Sequence, residues 1–263
     1  MTGPAARPGD PGTPSIARVY DYLLGGTDWY EADRQAALAL AAAKPEVAAN
    51  MRANRAFLGR VVQHLAGPGG ITQFLDIGAG IPGSGNTHEV AQQVSPAARV
   101  VYVDNDPDVL ARGRAMLAST PEGAAGYVQA DLRDPARILA LAGRWLDLAR
   151  PAAVLLLGIL HLIPGDEPYP IVSFLTQAMA PGSYLAISHP ASDIRAASAD
   201  SGARVYSSLI AEQANRTRAE VARFSDGLDL VPPGVVPANQ WRPRPGTDTA
   251  QVISNWASLG RRP

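Results

Sequence analysis

The sequence predicts an α/β protein in which helices cover both faces of a mostly parallel sheet. Five short apolar runs alternate with segments of helical periodicity, and parallel strands need long connections of this kind. The composition, with 46% hydrophobic and 18% charged residues over 263 positions, is that of an ordinary folded domain. The predicted strands are 72–77, 99–104, 126–130, 153–159 and 183–188. Their alternation with helices favours a sheet buried between two helical layers.

Three helices are predicted before the first strand. Residues 1–13 consist mainly of Pro, Gly, Ala and Thr without periodicity, which indicates a disordered tail. The pattern that follows is helical, with a turn at Gly25 and Gly26 and a break at Pro45. We therefore divide the chain into a tail over 1–13, a helical lid or extension over 14–68 and an α/β domain over 69–263.

Local signals place several helix starts and the pairing of the last strands. Asp106 and Asp134 each precede a proline, so each offers an N-cap carboxylate before a residue suited to the first helical position. Thr217 begins a capping box. Two late apolar runs, 228–236 and 251–259, have no long helix between them, so we expect them to pair antiparallel.

Composition excludes several kinds of chemistry. The chain has no cysteine, which removes disulfides, thiolate zinc sites, iron–sulfur clusters and cysteine nucleophiles. The net charge of −1 gives no electrostatic reason to expect nucleic acid or a membrane as a partner. The N-terminus lacks an apolar signal region, and the longest strongly apolar run, 152–160, is about half a membrane span. We therefore expect a cytoplasmic protein. Its single lysine, Lys44, indicates no mechanism at this point.

A glycine-rich loop between a buried strand and a helix is the most informative stretch. Gly78, Gly80 and Gly83 match the pattern G-x-G-x-x-G, and Asp104 stands 21 residues beyond the last of them, at the end of the next strand. This spacing suits a cofactor that contains adenosine, because the carboxylate would bind the ribose hydroxyls. The loop also nearly matches a P-loop, but Asn86 replaces the lysine that would reach the phosphates. A turn that merely joins strand to helix is the alternative without a ligand.

The side chain at position 76 separates two adenosine cofactors. Asp76 lies two residues before Gly78, where a carboxylate would repel the pyrophosphate of a dinucleotide but attract the ammonium of S-adenosylmethionine. At an effective dielectric constant of about 20, such a contact at about 4 Å is worth about 4 kcal/mol before desolvation. The charge therefore favours S-adenosylmethionine, with Asp76 and the backbone of Gly78, Ala79 and Gly80 at its methionine end.

Polar residues also follow the second and third predicted strands. Asp104 is expected to bind the ribose, and Asn105 lies where an adenine edge would be. Asp131 could accept a hydrogen bond from the adenine amino group while Leu132 packs against the ring. Each carboxylate alone could be a simple cap. Ligands of open α/β sheets collect beyond the carboxyl ends of strands, so the three carboxylates, including Asp76, together predict one site.

Several sequence strings resemble a known enzyme family. The order D-I-G-A-G, V-D-N-D and Q-A-D-L is similar to that of class I S-adenosylmethionine-dependent methyltransferases. The strings R-V-Y-D-Y-L-L-G-G and N-T-H-E resemble, more narrowly, the actinobacterial DUF574 family of S-adenosyl methyltransferases. The resemblance implies a Rossmann-like fold with N-terminal helices and a seven-stranded sheet of order 3-2-1-4-5-7-6, in which only strand 7 is antiparallel. It also implies S-adenosylmethionine as cofactor and S-adenosylhomocysteine as product, but it supplies no substrate.

Few side chains are compulsory for methyl transfer, because the enzyme mainly positions the nucleophile and excludes water. His161 follows the fourth predicted strand and His189 ends the fifth. Each could act as a base or substrate ligand, and each could instead make a structural hydrogen bond. No metal site is expected, because His88 is followed at the zinc-motif spacing by Gln92 instead of a second histidine.

An aromatic pair and a double glycine precede the first strand, where methyltransferases commonly add a helical lid. Tyr20 or Tyr22 could contact the sulfonium by cation–π attraction worth about 0.5–2 kcal/mol, and Gly26 could help the lid to close. The alternative is a helix that ends at the glycines, with the tyrosines packed on the core. Tyr20 is thus a catalytic candidate, and Tyr22, Gly26 and Gly158 complete the expected cofactor residues.

Four functions remain open from the sequence. The favoured one is a methyltransferase that uses S-adenosylmethionine and acts on a small molecule. The second is a cyclase or lyase that consumes the aminobutyrate part of S-adenosylmethionine without a methyl acceptor. The third is an NAD(P)-dependent oxidoreductase, and the fourth is a cofactor sensor without turnover. The expected partner is a small-molecule substrate, with neither nucleic acid nor membrane, and a homodimer is left open.

Overall fold

The computed structural model describes residues 10–263. Of the predicted disordered tail, residues 1–9 lie outside the described part. Residues 10–13 form a turn in which the carboxylate of Asp10 accepts hydrogen bonds from the backbone N–H of Gly12 at 2.9 Å and the hydroxyl of Thr13 at 3.0 Å.

Three helices precede the sheet, which confirms the prediction for this part of the chain. They are α1 (Ile16–Leu24), α2 (Glu31–Ala43) and α3 (Val47–Ala66). Gly25 ends α1 with φ at +87°, a left-handed conformation that glycine adopts without steric cost. The break between α2 and α3 falls at the predicted proline, because Pro45 lies between the two helices.

One sheet contains all eight strands of the described chain. They are β1 (Gln73–Ile77), β2 (Arg99–Asp104), β3 (Ala124–Gln129), β4 (Ala153–Leu157), β5 (Tyr184–Pro190), β6 (Asp229–Leu230), β7 (Val236–Pro237) and β8 (Asn255–Arg261). The order is β3-β2-β1-β4-β5-β8-β6, and β7 also pairs with β8. Strands β1 to β5 are parallel, whereas β8 runs antiparallel to β5 and β6.

The predicted topology is confirmed, with one addition. The last strand of the chain inserts between the fifth and sixth strands, and it alone runs antiparallel to both of these neighbours. The late run 228–236, however, forms two strands of two residues each, β6 and β7, in place of one longer strand. Two prolines and Gly234 interrupt this run, and proline cannot donate to the ladder of a continuous strand.

The connecting helices lie where the capping signals predict them. They are α4 (Thr87–Val94), α5 (Pro107–Met116), α6 (Pro135–Ala142), α7 (Pro168–Ala178), α8 (Ala196–Leu209) and α9 (Arg218–Arg223), with short 3₁₀ helices at Leu160–Leu162 and Ala238–Gln240. Asp106 and Asp134 accept hydrogen bonds from backbone N–H groups of the first turns of α5 and α6, and Thr217 caps α9. The helices α5, α6 and α9 therefore start after the residue whose side chain satisfies a free N–H group of the first turn, whereas α7 and α8 have no side-chain cap.

Apolar side chains fill both faces of the sheet. Leu75 and Val101 point to a cluster with α6 and α7, whereas Phe74 and Val100 point to a second cluster with α3 and α4. This alternation follows from the two-residue period of a strand. A third cluster, which includes Val19, joins α1 and α2 to α8. Of the three N-terminal helices, α3 thus packs on one face of the sheet, whereas α1 and α2 pack against α8 in the third cluster. No helix within residues 10–263 is both long and apolar enough to cross a membrane.

Candidate functional site

A cavity of about 1180 Å³ lies at the carboxyl ends of β1, β2 and β4. Ligand pockets usually have volumes of about 300–1,000 Å³, so this one has room for a cofactor. The helices α1 and α3 form one wall, and the glycine loop and strand ends form the other. The predicted site residues that line it are Tyr20, Gly26, Asp76, Gly78, Ala79, Gly80, Asp104, Asn105 and Gly158.

Asp76 places a buried carboxylate in the wall of this cavity. The residue is 6% exposed at the end of β1, and its Oδ2 accepts a hydrogen bond from the hydroxyl of Thr87 at 2.6 Å. Burial raises the pKa of Asp76 to about 6, although the bond to Thr87 and the charge of Arg55 act in the opposite direction. None of the ion pairs formed within residues 10–263 includes Asp76. A ligand cation would therefore find an unpaired acceptor there.

Two glycines of the loop have different physical roles. The N–H of Gly78 donates to the carbonyl of Val103 at 2.8 Å, and a Cβ at this position would come within 2.8 Å of Ile159. Gly78 is thus required by the packing of the protein itself. Gly80 has φ at +63°, but a Cβ there would meet no atom within 4 Å. The open space beside Gly80 belongs to the cavity, where a ligand can approach the backbone closely.

Asp104 ties the end of β2 to the glycine loop. Its Oδ2 accepts from the N–H of Gly80 at 3.0 Å, and its Oδ1 accepts from the N–H of Asp106 at 3.0 Å. Burial raises the pKa of Asp104, and these backbone bonds partly oppose the effect. Each carboxylate oxygen keeps a further lone pair, so the side chain can still accept hydrogen bonds from ligand hydroxyls.

The two residues predicted at the end of β3 do not reach the cavity. Asp131 accepts from the side-chain amide of Asn105 at 3.0 Å and from the N–H of Arg133 at 2.8 Å. Leu132 is buried in the hydrophobic core with Ile138. Asp131 therefore touches the cavity only through Asn105, which lines it, and Leu132 supports the loop from within the core.

The two tyrosines of the predicted lid point in different directions. Tyr20 lines the cavity, accepts from the amide of Asn54 at 3.1 Å and donates to the carbonyl of Met51 at 3.4 Å. Burial raises the pKa of Tyr20. Tyr22 is outside the cavity and packs edge-on against Trp29, with ring centroids 5.1 Å apart. Only the first of the two is therefore placed to contact a ligand in this cavity.

The two histidines differ in what their ring nitrogens contact. The ring of His189 is fully buried, with Nδ1 2.9 Å from the carbonyl of Pro190 and Nε2 2.8 Å from a guanidinium nitrogen of Arg216. Because that guanidinium can only donate, Nε2 accepts and the proton is on Nδ1. Both ring nitrogens of His189 thus form hydrogen bonds within the protein. The residue lines neither this cavity nor the smaller one described below. His161 lines that smaller cavity, and its Nδ1 has no partner within residues 10–263.

Three further residues contribute to the site without being predicted from the sequence. Thr87 holds the carboxylate of Asp76 from the first turn of α4. Arg55 donates from α3 to the carbonyl of Ser84 at 3.1 Å, which fixes the glycine loop against the helical wall. Asn54 contacts Tyr20 and lines the cavity. The threonine that follows the loop in the N-T-H-E string was a usable signal, whereas no local pattern marks the two α3 residues.

Within residues 10–263, no group of three or more His, Asp or Glu side chains could hold a metal ion.

Comparisons with known proteins identify relatives of this chain. The family model described as S-adenosyl methyltransferase matches residues 4–263. A DUF574 family protein from Streptomyces avermitilis is 42% identical, with a TM-score of 0.92 over 95% of this chain and 98% of that chain. A protein from Thermobifida fusca, solved as a candidate methyltransferase, is also 42% identical, with a TM-score of 0.89 over 95% and 96%.

A more distant structure shares the fold alone. The mitomycin 7-O-methyltransferase MmcR is 17% identical, with a TM-score of 0.55 over 97% of this chain and 73% of that chain. No curated protein matches the chain. The fold class and the family resemblance predicted from the sequence are both confirmed by these relatives.

Proposed function

We propose, from the premise that this chain belongs to the S-adenosyl methyltransferase family, that it methylates a small molecule. The family makes it an S-adenosylmethionine-dependent methyltransferase, so the nicotinamide oxidoreductase and the acceptor-free cyclase or lyase are set aside. The observation that carries the proposal is Asp76, a buried carboxylate in the wall of the large cavity that forms no ion pair within residues 10–263.

The residues of the cavity fit the cofactor. Its ammonium is the natural partner for Asp76, because a charge-assisted hydrogen bond there offsets the burial of the carboxylate. The open space beside Gly80 suits a close approach to the backbone. Asp104 would bind the ribose hydroxyls, and Asn105, held by Asp131, would face the adenine. The bound cofactor supplies a methyl group on a positively charged sulfur.

In the reaction, the residues of the chain position the cofactor and the methyl acceptor and exclude water from the site. Tyr20 is held by Asn54 beside Gly158, and we place the ring of Tyr20 next to the sulfonium, where its π-face would attract the charge. Burial, together with the charges of Lys44 and Arg216, lowers the pKa of His161 to about 3, so this imidazole is neutral at pH 7. We propose it as a substrate ligand that accepts or donates a hydrogen bond, and we leave His189 out of the catalytic residues.

Transfer of a labelled methyl group tests the substrate class. The protein is incubated with S-adenosylmethionine carrying a trideuterated methyl group and with a bacterial extract divided at about 3 kDa. We expect the label in the low-mass fraction, followed by mass spectrometry. Label found only in the protein or nucleic-acid fraction would contradict the small-molecule assignment.

We also propose that the enzyme is cytoplasmic and acts as a homodimer. Cell fractionation tests the location, and light scattering tests the oligomeric state.

Calorimetry tests the cofactor directly. We expect S-adenosylhomocysteine to bind with a micromolar dissociation constant and NADH to give no heat of binding. In a parallel incubation with S-adenosylmethionine and no acceptor, methylthioadenosine should not accumulate. Binding of NADH in preference to S-adenosylhomocysteine would overturn the proposal, and acceptor-free methylthioadenosine would restore the cyclase or lyase.

Asp104→Ala is expected to weaken S-adenosylhomocysteine binding about tenfold or more. Buried hydroxyls would lose a charged acceptor, which is worth roughly 1.5–3 kcal/mol. The matched variant is Asp134→Asn, which removes the charge of a carboxylate that caps α6 outside the cavity, and we expect it to change the affinity by less than about threefold. Calorimetry on both variants makes the comparison. Equal losses of affinity in the two variants would contradict the assignment of Asp104 to the cofactor site.

The affinity is also expected to fall in acid. With its pKa at about 6, Asp76 is ionised at pH 7.5 and becomes protonated below pH 6, when it no longer attracts an ammonium. We expect the dissociation constant of S-adenosylhomocysteine to be constant above about pH 7 and to rise by up to tenfold per pH unit below pH 6. Asp76→Asn should abolish this dependence. The same pH profile in that variant would assign the titration to another group.

A further inference from the structure

A second, smaller cavity adjoins the proposed cofactor site. We call it the inner chamber. It has a volume of about 70 Å³ between α1, α2, α3 and α8, at the end of β4. Ile16, Tyr20, Asn54 and Gly158 line both cavities. A molecule bound in the inner chamber would therefore contact the opposite side of residues that are proposed to lie next to the reacting methyl group.

Among the described residues that line the inner chamber, one side chain is positively charged and none is negatively charged. Lys44 is the only Lys, Arg, Asp or Glu in this part of the lining, and the residue is 7% exposed. Its aliphatic stem passes Gly202 of α8, where a Cβ would come within 2.9 Å of the lysine Cδ. No ion pair within residues 10–263 includes Lys44. Glu46 acts on it electrostatically, but the carboxylate of Glu46 accepts a hydrogen bond from Ser198 instead.

Buried polar atoms in the same chamber lack partners within the described chain. Asn50 is 2% exposed; its Oδ1 accepts from the N–H of Ser254 at 2.9 Å, but its Nδ2 has no acceptor. His161 is 8% exposed, and its Nδ1 has no partner either. Buried donors without acceptors cost free energy. The Oδ1 of Asn215, which lines the same chamber, also has no partner within the described chain, and it can only accept. The ammonium of Lys44, the amide N–H of Asn50 and an imidazole nitrogen able to carry a proton outnumber this one acceptor, so together they favour a ligand with negatively charged oxygen atoms.

We propose that the inner chamber binds a carboxylate group of the methyl acceptor, through Lys44, Asn50 and His161. This inference rests on the proposed function, because it assigns the acceptor class of the same site. A water molecule takes up about 30 Å³ in the liquid, so a volume of about 70 Å³ corresponds to roughly two waters. That space suits a carboxylate with two or three carbons. The rest of the acceptor would extend past Tyr20 and Gly158 into the large cavity.

Small carboxylates and their amides test the chemistry of the chamber. The probes are propionate and propionamide, which have the same size and differ in charge. Ligand-observed NMR with the full chain, saturated with S-adenosylhomocysteine, measures both. We expect propionate to bind at least tenfold more tightly than propionamide. Equal affinities, or no binding of propionate, would overturn the inner-chamber proposal.

Two variants assign the binding to the chamber. Lys44→Met keeps the length of the side chain beside Gly202 and removes the charge, and we expect it to weaken propionate binding at least tenfold. Asn50→Asp keeps the acceptor for Ser254 but replaces the free amide with a carboxylate. We expect it to abolish propionate binding, and it carries the test if Lys44→Met does not fold. Wild-type propionate affinity in the folded variants would overturn the proposal.

The controls separate this inference from the function on which it rests. Both variants should bind S-adenosylhomocysteine within about twofold of the wild-type affinity, because Lys44 and Asn50 lie outside the large cavity. If S-adenosylhomocysteine binds and propionate does not, only the inner-chamber proposal is wrong. If S-adenosylhomocysteine itself does not bind the wild-type chain, the proposed function is wrong and the acceptor assignment falls with it.

Discussion

Replacing Asp76 with asparagine is expected to weaken S-adenosylhomocysteine binding by about 10- to 150-fold. This range corresponds to the roughly 1.5–3 kcal/mol by which hydrogen bonds to charged groups stabilise a complex. Asparagine has the same size and can still accept the hydrogen bond from Thr87. The loss would therefore report the missing charge and not a collapsed loop. Calorimetry at pH 7.5 measures it.

The same substitution should make the ligand-free protein more stable. Raising a carboxyl pKa from 3.8 to about 6 costs the folded state up to about 3 kcal/mol when the group is ionised. The sign follows from the direction of the shift: the cost is absent below about pH 3.8, grows between pH 3.8 and 6, and is constant above. Asp76→Asn should therefore raise the free energy of unfolding at pH 7.5 and have little effect near pH 4.

A matched variant controls both measurements. Asp134→Asn makes the same chemical change at the N-cap of α6, outside the cavity, where asparagine caps as well as aspartate. We expect it to change neither the affinity nor the stability appreciably. If Asp76→Asn bound S-adenosylhomocysteine as tightly as the wild type, the ammonium would have to bind elsewhere.

The second large effect is expected at Gly78. Gly78→Ala combines a left-handed backbone, with φ at +79°, and a Cβ within 2.8 Å of the Ile159 side chain. The backbone term costs about 1–2 kcal/mol and overpacking typically about 1–3 kcal/mol. We therefore expect the free energy of unfolding to fall by about 2–5 kcal/mol, measured by urea denaturation followed by circular dichroism.

Gly80→Ala is the matched comparison within the same motif. Its φ is +63°, but its Cβ would meet no protein atom within 4 Å, so only the backbone cost of about 1–2 kcal/mol applies. We expect the added methyl group to weaken S-adenosylhomocysteine binding, because it would occupy space beside the cavity wall. A Gly80→Ala variant less stable than Gly78→Ala would contradict the structural distinction between the two glycines.

The sequence predicts the fold well wherever local chemistry determines the structure. Asp106 and Asp134 cap helices because a short side chain followed by proline satisfies the first free N–H groups, a requirement that depends on adjacent residues only. The strand order came from the family resemblance. The division of the late run 228–236 into two short strands was missed, although the two prolines and Gly234 within the run are a local signal for a break.

Site residues were harder to predict where a side chain has a choice of neighbours. Asp76 and Asp104 line the cavity because they end adjacent parallel strands. Asp131 also follows a strand, yet its carboxylate turns to Asn105 and to the next backbone turn. His189 lies near the end of β5, but its Nε2 accepts a hydrogen bond from the guanidinium of Arg216, 27 residues away in sequence. Such contacts depend on the tertiary structure, so no local pattern reports them.

Lys44 is the clearest example of a residue whose surroundings the sequence does not predict. In the sequence it is an isolated lysine before a proline, typical of an exposed helix end. In the fold, α8 packs across α2 and buries its stem against Gly202, 158 positions later. The burial lowers the pKa of Lys44 and places its charged group in the inner chamber, where no other Lys, Arg, Asp or Glu of residues 10–263 lies.

Some side chains of the inner chamber lie outside the large cavity, although Ile16, Tyr20, Asn54 and Gly158 line both. Asp76 and Asp104, which are proposed to hold the methyl donor, stand on β1 and β2, whereas Lys44 and Tyr206 stand on the helical side and line only the inner chamber. Substitutions at such helical positions can therefore change which molecule is modified while the donor site stays intact. Paralogues would diverge first in acceptor preference, and an engineer seeking a new product would begin with the helical wall.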